Sequence, residues 1–248
     1  MQRLGSELKV ILRHSSVFGL ASVLGQFLSF ILLPLYTRYL TPADYGALEI
    51  LYFSSSLLTI IFGLGVNEGM SRFYFDREDP DWRRRVVSTT IIGMGSICVA
   101  AVALLLPFSG LAARALLDSP AMAVHFRVLF VSLAAQFMTS ILLAYLRVRQ
   151  RSGTVLFVSL AQLLVTIALN LLFIAGLGWG SLGMLAATLI AHGATAAIAV
   201  PAMLAQARAP FDRRLFREMV TYGLPLVPSS LGSYTARSEE RRVGKECS

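Results

Sequence analysis

Long stretches of this chain carry no Asp, Glu, Lys or Arg, among them residues 14–37, 50–67, 86–113, 128–146 and 152–207. A run of about 18 or more such residues can cross the hydrocarbon of a bilayer as a helix. The last run is too long for one crossing. At its middle stands Gly176-Leu177-Gly178-Trp179-Gly180-Ser181, where glycine favours a turn and tryptophan the headgroup zone, so the run divides in two. The pattern predicts helical spans over 14–36, 43–66, 86–107, 121–146, 153–175 and 181–205, with a seventh starting near 219. The first is longer than a signal-peptide core and has no small-x-small cleavage site behind it, so it reads as a permanent span. The fold class expected is an all-α membrane protein: a six-transmembrane-helix bundle plus the start of a seventh helix.

Local chemistry marks two of the helix starts. Thr41-Pro42-Ala43-Asp44 offers an N-cap, a proline at the first helical position and an acid in the first turn, and Ser119-Pro120 repeats the cap and proline. Composition agrees with the spans. Hydrophobic residues make up 56% and charged ones 15% of the chain, with a mean hydropathy of +0.67, whereas a soluble domain carries about a quarter charged residues.

Charge then orients the bundle. Arg3, Lys9 and Arg13 precede the first span; Arg72, Arg77, Arg83, Arg84 and Arg85 follow the second; Arg147, Arg149 and Arg151 follow the fourth; Arg208, Arg213, Arg214 and Arg217 follow the sixth. The connections on the other side hold Arg38, Arg114 and Arg127. The positive-inside rule puts the N terminus of this multi-pass protein in the cytoplasm. The net charge of +8 is what that rule alone produces, so no nucleic-acid partner is expected. Cys98 and Cys247 have no partner spacing and imply neither a disulfide framework nor a metal site.

Along the chain, residues 1–207 read as the N-terminal six-helix bundle and 208–218 as a cytoplasmic amphipathic linker. Basic and apolar residues alternate there at near-helical spacing, which suits the inner leaflet. Residues 219–236 read as a truncated seventh span. Residues 237–248, beginning Arg237-Ser238-Glu239-Glu240, resemble a terminal peptide that arises when adapter or vector bases are read as codons. They are expected to be non-native, with the natural protein continuing in their place.

Polar residues inside the spans fall on helical faces, because positions three or four apart stack on one side. The first span carries Ser15, Gly19, Ser22, Gln26 and Ser29. The second carries Glu49, Tyr52, Ser56, Thr59, Gly63 and Asn67. The fourth carries Ser132, Gln136, Thr139 or Ser140, and Arg147 at its inner end. The fifth has Ser159, Gln162, Thr166 and Asn170, and the sixth Thr188, His192 and Thr195. Lipid gives such groups nothing to bond, so these faces point toward one another or toward water. Any single stripe fits helix packing as well as a cavity; five together favour a polar cavity. Gln26, Glu49, Gln162, Asn170 and His192 weigh most, because they cost more to bury than serine. His192 lies near mid-span, where either proton coupling or a neutral histidine bonded to a neighbouring helix fits. Glu49 is placed to reach Arg38 or Arg127, or simply interfacial water.

Several patterns carry no chemistry. Gly178-Trp179-Gly180-Ser181-Leu182-Gly183 matches G-x-G-x-x-G, but it follows a membrane helix rather than a strand and reads as a turn. Asp76, Glu78, Asp79 and Asp81 read as a solvated loop. His14, His125 and His192 lie on different spans with no ligand spacing, and no serine or cysteine has an evident base, so neither an enzyme nor a cofactor is expected.

Several segments resemble the polysaccharide exporter family that flips lipid-linked oligosaccharides of the O-antigen type, within the larger superfamily that includes the multidrug and toxin extruders. The most telling is Leu33-Pro34-Leu35-Tyr36-Thr37-Arg38-Tyr39-Leu40-Thr41-Pro42-Ala43-Asp44-Tyr45-Gly46, similar to that family's junction between its first two helices. Further likenesses are Gly63-Leu64-Gly65 leading to Ser71-Arg72-Phe73-Tyr74, Gly183 leading into the sixth span, and Tyr222-Gly223-Leu224-Pro225-Leu226-Val227-Pro228-Ser229 at the start of the seventh. The resemblance implies two six-helix lobes facing each other across a central cavity, of which this chain is the N-terminal lobe. It also implies a cargo of oligosaccharide on an undecaprenyl pyrophosphate-type lipid, polysaccharide assembly proteins as partners, and no covalent chemistry. A pyrophosphate needs cationic partners, and this lobe offers them at its mouths: Arg38 and Arg127 outside, Arg72 and Arg147 inside, each equally explained by topology. With Asn67 at the inner end of the second span, the candidate cavity or substrate contacts are Gln26, Arg38, Glu49, Asn67, Arg72, Arg127, Arg147, Gln162, Asn170 and His192. Competing readings are a drug or small-solute antiporter of the same superfamily, an integral membrane glycosyltransferase or polymerase, and a structural or scaffold role.

Overall fold

The structure is a computed structural model and describes residues 36–226. The expected first span, its Gln26, and everything after Leu226, including the tail, lie outside these residues. Within them the chain is helical, with no strand. Eight α-helices follow in order: α1 (Pro42–Gly63), α2 (Val66–Tyr74), α3 (Pro80–Leu105), α4 (Ser109–Leu117), α5 (Ala123–Val148), α6 (Ser152–Asn170), α7 (Gly180–Ala207) and α8 (Arg213–Gly223). Five helical stretches are long and apolar enough to cross a membrane: Pro42–Gly63, Pro80–Leu117, Pro120–Val148, Ser152–Gly176 and Gly180–Ala207. They correspond to the second through sixth spans expected from the hydrophobic runs.

The boundaries follow local chemistry. Thr41 caps α1 in a full capping box: its hydroxyl accepts from Asp44 N at 3.2 Å, and the Asp44 carboxylate accepts from Thr41 N at 3.1 Å. The helix ends three residues before the expected 66, because Leu64 (φ 48°) and Gly65 (φ 61°) both turn left-handed and break it from α2. Asp79 caps α3 by accepting from Asp81 N, with Pro80 in the first turn, so α3 starts well before the apolar run. Ser119 does not give α5 the expected cap. Pro120–Met122 forms a 3-10 turn first, and the Ser119 side chain makes no capping bond. At the end of α6 the chain widens into a π-helix over Leu171–Gly176. The turn through Gly178 (φ 66°) and Gly180 (φ 53°) then leads into α7, as the glycine cluster requires.

Helix α5 is the axis of the bundle. It packs most extensively on α7 and also meets α1, α2, α3, α4 and α6. Two apolar clusters form at its two ends. One gathers Val66, Met70, Val86, Met94, Ile141 and Met219; the other gathers Leu51, Ala113, Phe126, Leu129 and Leu185. Many large apolar side chains remain exposed, Phe53, Val99, Phe157 and Ile198 among them. Such an outer surface is stable only in lipid, so the chain is a multi-pass membrane protein.

The segment expected as a linker followed by a seventh span from 219 is one helix, α8, which runs through that boundary. Asp212 caps it, accepting from Arg214 N and Leu215 N. Its apolar face packs on protein: Leu215, Met219 and Gly223 are buried against α2 and α3. The approach is close enough to need glycine. A Cβ on Gly65 would stand 2.5 Å from Gly223 O, and one on Gly69 would stand 2.7 Å from Met219 O.

Candidate functional site

Most hydroxyls on the predicted stripes satisfy themselves. Ser56, Thr59, Thr166, Thr188 and Thr195 each donate to the carbonyl four residues back at 2.8–2.9 Å, the usual way a hydroxyl is carried within a helix. The amides and histidine behave differently, reaching from helix to helix. Gln162 Nε2 on α6 lies 2.8 Å from His192 Nδ1 on α7. Asn67 Nδ2 on α2 donates to Ser140 Oγ on α5 at 3.1 Å, leaving Asn67 Oδ1 buried without a partner. Thr139 on α5 donates to His192 O at 3.4 Å.

These groups line one open cavity of about 670 Å³. Its wall is uncharged and polar where Asn67, Gln136, Ser140, Gln162 and His192 project, and apolar at Ile60, Leu133 and Phe137. Glu68, in the first turn of α2, also lines it. The sequence reading did not single out Glu68, although its place directly after the second apolar run was a usable signal. The cavity occupies the half of the bundle nearer the arginine-rich connections. From the second span's stripe it therefore takes Thr59, Gly63 and Asn67, but not Glu49.

Other candidates stand elsewhere. Asn170 is buried at the end of α6, donating to Tyr36 OH at 3.1 Å, with its own Oδ1 unpartnered. Glu49 and Arg38 are exposed, and among the described residues Glu49 pairs with neither Arg38 nor Arg127. Arg127 donates through Nε to Ser109 Oγ at 3.1 Å, tying α5 to α4. Arg72 forms an exposed ion pair with Asp76 at 3.3 Å, and Arg147 is exposed. None of the four mouth arginines lines the cavity.

At the opposite end of the bundle a second polar set ties three helix starts together. Ser181 Oγ donates to Asp44 Oδ1 at 2.9 Å, and His125 Nε2 lies 3.2 Å from the same Ser181 oxygen. The fold brings α5 and α7 together there and sets His125 beside Ser181, a contact not visible in the sequence. The order is nevertheless wrong for nucleophilic catalysis. A triad places the base between nucleophile and acid, whereas here the serine stands in the middle and gives its proton to the carboxylate. Asp44 also accepts from Thr41 Oγ1 at 2.7 Å. This set acts as a clasp. The acidic loop is solvated, as expected: Asp76, Glu78, Asp79 and Asp81 are exposed, with Asp81 paired to Arg84.

A polar cavity with Glu68 at its edge runs along one flank of the bundle, and a polar clasp stands at the other end; the class that this defines is a multi-pass helical membrane protein. The likeness to solved structures agrees. The crystal structure of a MATE mutant is similar at a TM-score of 0.72, with 20% identity, over 92% of this chain and 55% of that one. The chain thus spans about half the length of that structure. A family model, polysaccharide biosynthesis protein, matches residues 11–238, and the chain belongs to that family. No curated protein matches it.

Proposed function

We propose that this chain forms the N-terminal lobe of a flippase that moves lipid-linked oligosaccharide from the cytoplasmic to the outer leaflet by alternating access, facing a second lobe across the cavity. The observation that carries the reading is the 670 Å³ cavity, whose amides and hydroxyls suit a neutral, hydroxyl-rich cargo: each can both give and accept hydrogen bonds. Arg38, Arg72, Arg127 and Arg147 stand outside this cavity, so pyrophosphate contacts within it are assigned to the second lobe. The proposed setting is the bacterial cytoplasmic membrane with the N terminus inside, alongside polysaccharide assembly proteins and without covalent chemistry. Helix α8, held by glycine contacts on α2 and α3, is placed to lead the chain into that second lobe.

The test is a leaflet-protection assay in liposomes, using the full-length protein and a fluorescent oligosaccharide on an undecaprenyl pyrophosphate carrier. Replacing both Gln162 and His192 by Leu is expected to lower the flipping rate at least about tenfold, the factor that 1.4 kcal/mol of lost cargo contact gives. An unchanged rate with intact fold overturns the proposal. One observation favours a second reading: Glu68 lines the same cavity as His192, which suits a proton-coupled antiporter of organic cations. That reading requires His192→Ala to abolish export driven by a pH gradient while leaving cation binding intact, and Glu68→Gln to weaken that binding.

A further inference from the structure

The arginines that do converge belong to a different face of the bundle. Arg83 and Arg84 from the start of α3, Tyr145 and Arg149 from the end of α5, and Gln206 from the end of α7 line a cavity of about 300 Å³. Among the described residues no acid lines it; Asp81 reaches Arg84 from outside at 3.2 Å. The Arg83 Nε is buried and has no hydrogen-bond partner, while its guanidinium carbon lies 5.3 Å from the Tyr74 ring centroid. Arg149 donates to Tyr145 OH at 2.8 Å and to Gln206 Oε1 at 3.1 Å, two uncharged partners that orient it without neutralising it. Three guanidinium groups therefore line one cavity, and among the described residues only Arg84 has a carboxylate partner. Like charges held this way repel unless an anion sits among them.

Deeper along the same three helices lies an apolar groove of about 570 Å³, lined by Ile92, Gly95 and Val99 of α3, Met138 of α5, and Val200 and Leu204 of α7 among others. Val87 of the arginine cavity is one turn from Ile91 of the groove, and Gln206 is two residues from Leu204. Met138 and Tyr145 of α5, with Arg149 just past its end, face these two sites and lie on the side opposite Gln136, Ser140 and Leu143 of the central cavity, by the 3.6-residue period. The two sites are therefore separate from the polar cavity. The arginine cavity stands where three spans end, at headgroup depth, and the groove runs from it into the hydrocarbon.

We infer that this face binds an anionic glycerophospholipid, with the phosphodiester between Arg83 and Arg149 and an acyl chain along the groove. A zwitterionic headgroup would bring its own cation to the arginines, and a free phosphate would leave the groove empty. The inference goes beyond the proposed flippase activity and does not depend on it.

The experiment is native mass spectrometry of the purified full chain, with phosphatidylglycerol, phosphatidylethanolamine of the same acyl chains, and inorganic phosphate as separate probes. The chain is expected to retain phosphatidylglycerol at least about tenfold better than phosphatidylethanolamine. The double variant Arg83→Gln with Arg149→Gln should lose most of that retention, while Arg217→Gln, at an exposed position of α8, leaves it unchanged. Gly95→Leu, whose Cβ enters open space, should lower it as well by filling the groove, and this variant decides the matter where the double variant fails to fold. Equal retention of the two lipids overturns the inference, as does full retention by a folded double variant. Binding of inorganic phosphate together with indifference to Gly95→Leu also overturns it, leaving a soluble-anion site.

Discussion

The two ends of the bundle are closed by different kinds of contact. At the end carrying Thr41 and Trp179, closure is by side chains: Ser181 bonds Asp44, His125 approaches Ser181, and Arg127 bonds Ser109. At the arginine-rich end closure is by backbone, where Gly65 meets Gly223 and Gly69 meets Met219 with no room for a Cβ. Ser88 adds a bond to Ala209 O and Thr89 one from Asp212 N. Side-chain hydrogen bonds can be exchanged for bonds to water at small net cost, about 1 kcal/mol each. Interdigitated backbones resist, since packed interiors have few soft displacements. The clasp end therefore gives up its contacts at lower cost than the glycine end.

The hardest blow to this contrast is Gly65→Leu. It combines a left-handed φ with a clash against backbone, and should cost about 3 kcal/mol or more, read as a lowered unfolding midpoint in detergent. A midpoint within error of the parent would mean that α8 is not seated as described. Next is Asp44→Ala at the clasp. Loss of the Asp44 half of the α1 capping box and of the Ser181 bond should remove about 1–2 kcal/mol, yet amide exchange should rise at the Thr41 end and not at Gly223. Uniform exchange at both ends would erase the distinction. Midway between the ends, the Gln162–His192 bond should show a coupling of about 1 kcal/mol in a double-mutant cycle of alanine variants, the scale of hydrogen bonds between membrane helices. A coupling of zero would separate the pair that defines the cavity wall. The smallest effect belongs to Arg72→Gln. Its ion pair with Asp76 is exposed, so the change should be below about 0.5 kcal/mol, and a larger loss would show the arginine to be part of the seat of α8.

Glu49 and Asn67 show how far a stripe can be read. Both belong to one helical face of the second apolar run, but Leu64 and Gly65 break that run into two helices, and the cavity takes in only the end near Asn67. Asn170 likewise shares its face with Gln162, yet the register of α6 sends it to Tyr36. The pairing of Gln162 with His192 is compatible with both readings of that histidine. The histidine is bonded to a neighbouring helix and lines the cavity at the same time.

What the sequence determined by itself is whatever depends on one helix at a time. Bilayer thickness sets the length of an uncharged run, so the five described spans, their order and the asymmetry of arginine between their ends were legible. Capping at Thr41 and the turn at Gly178 depend on backbone groups within a few residues. The tertiary structure alone decided which polar groups meet. A helical stripe gives the direction of a side chain but not which helix it faces, so Gln162 and His192 could be ranked but not joined. The gathering of Arg83 and Arg149 likewise required α3, α5 and α7 to end together.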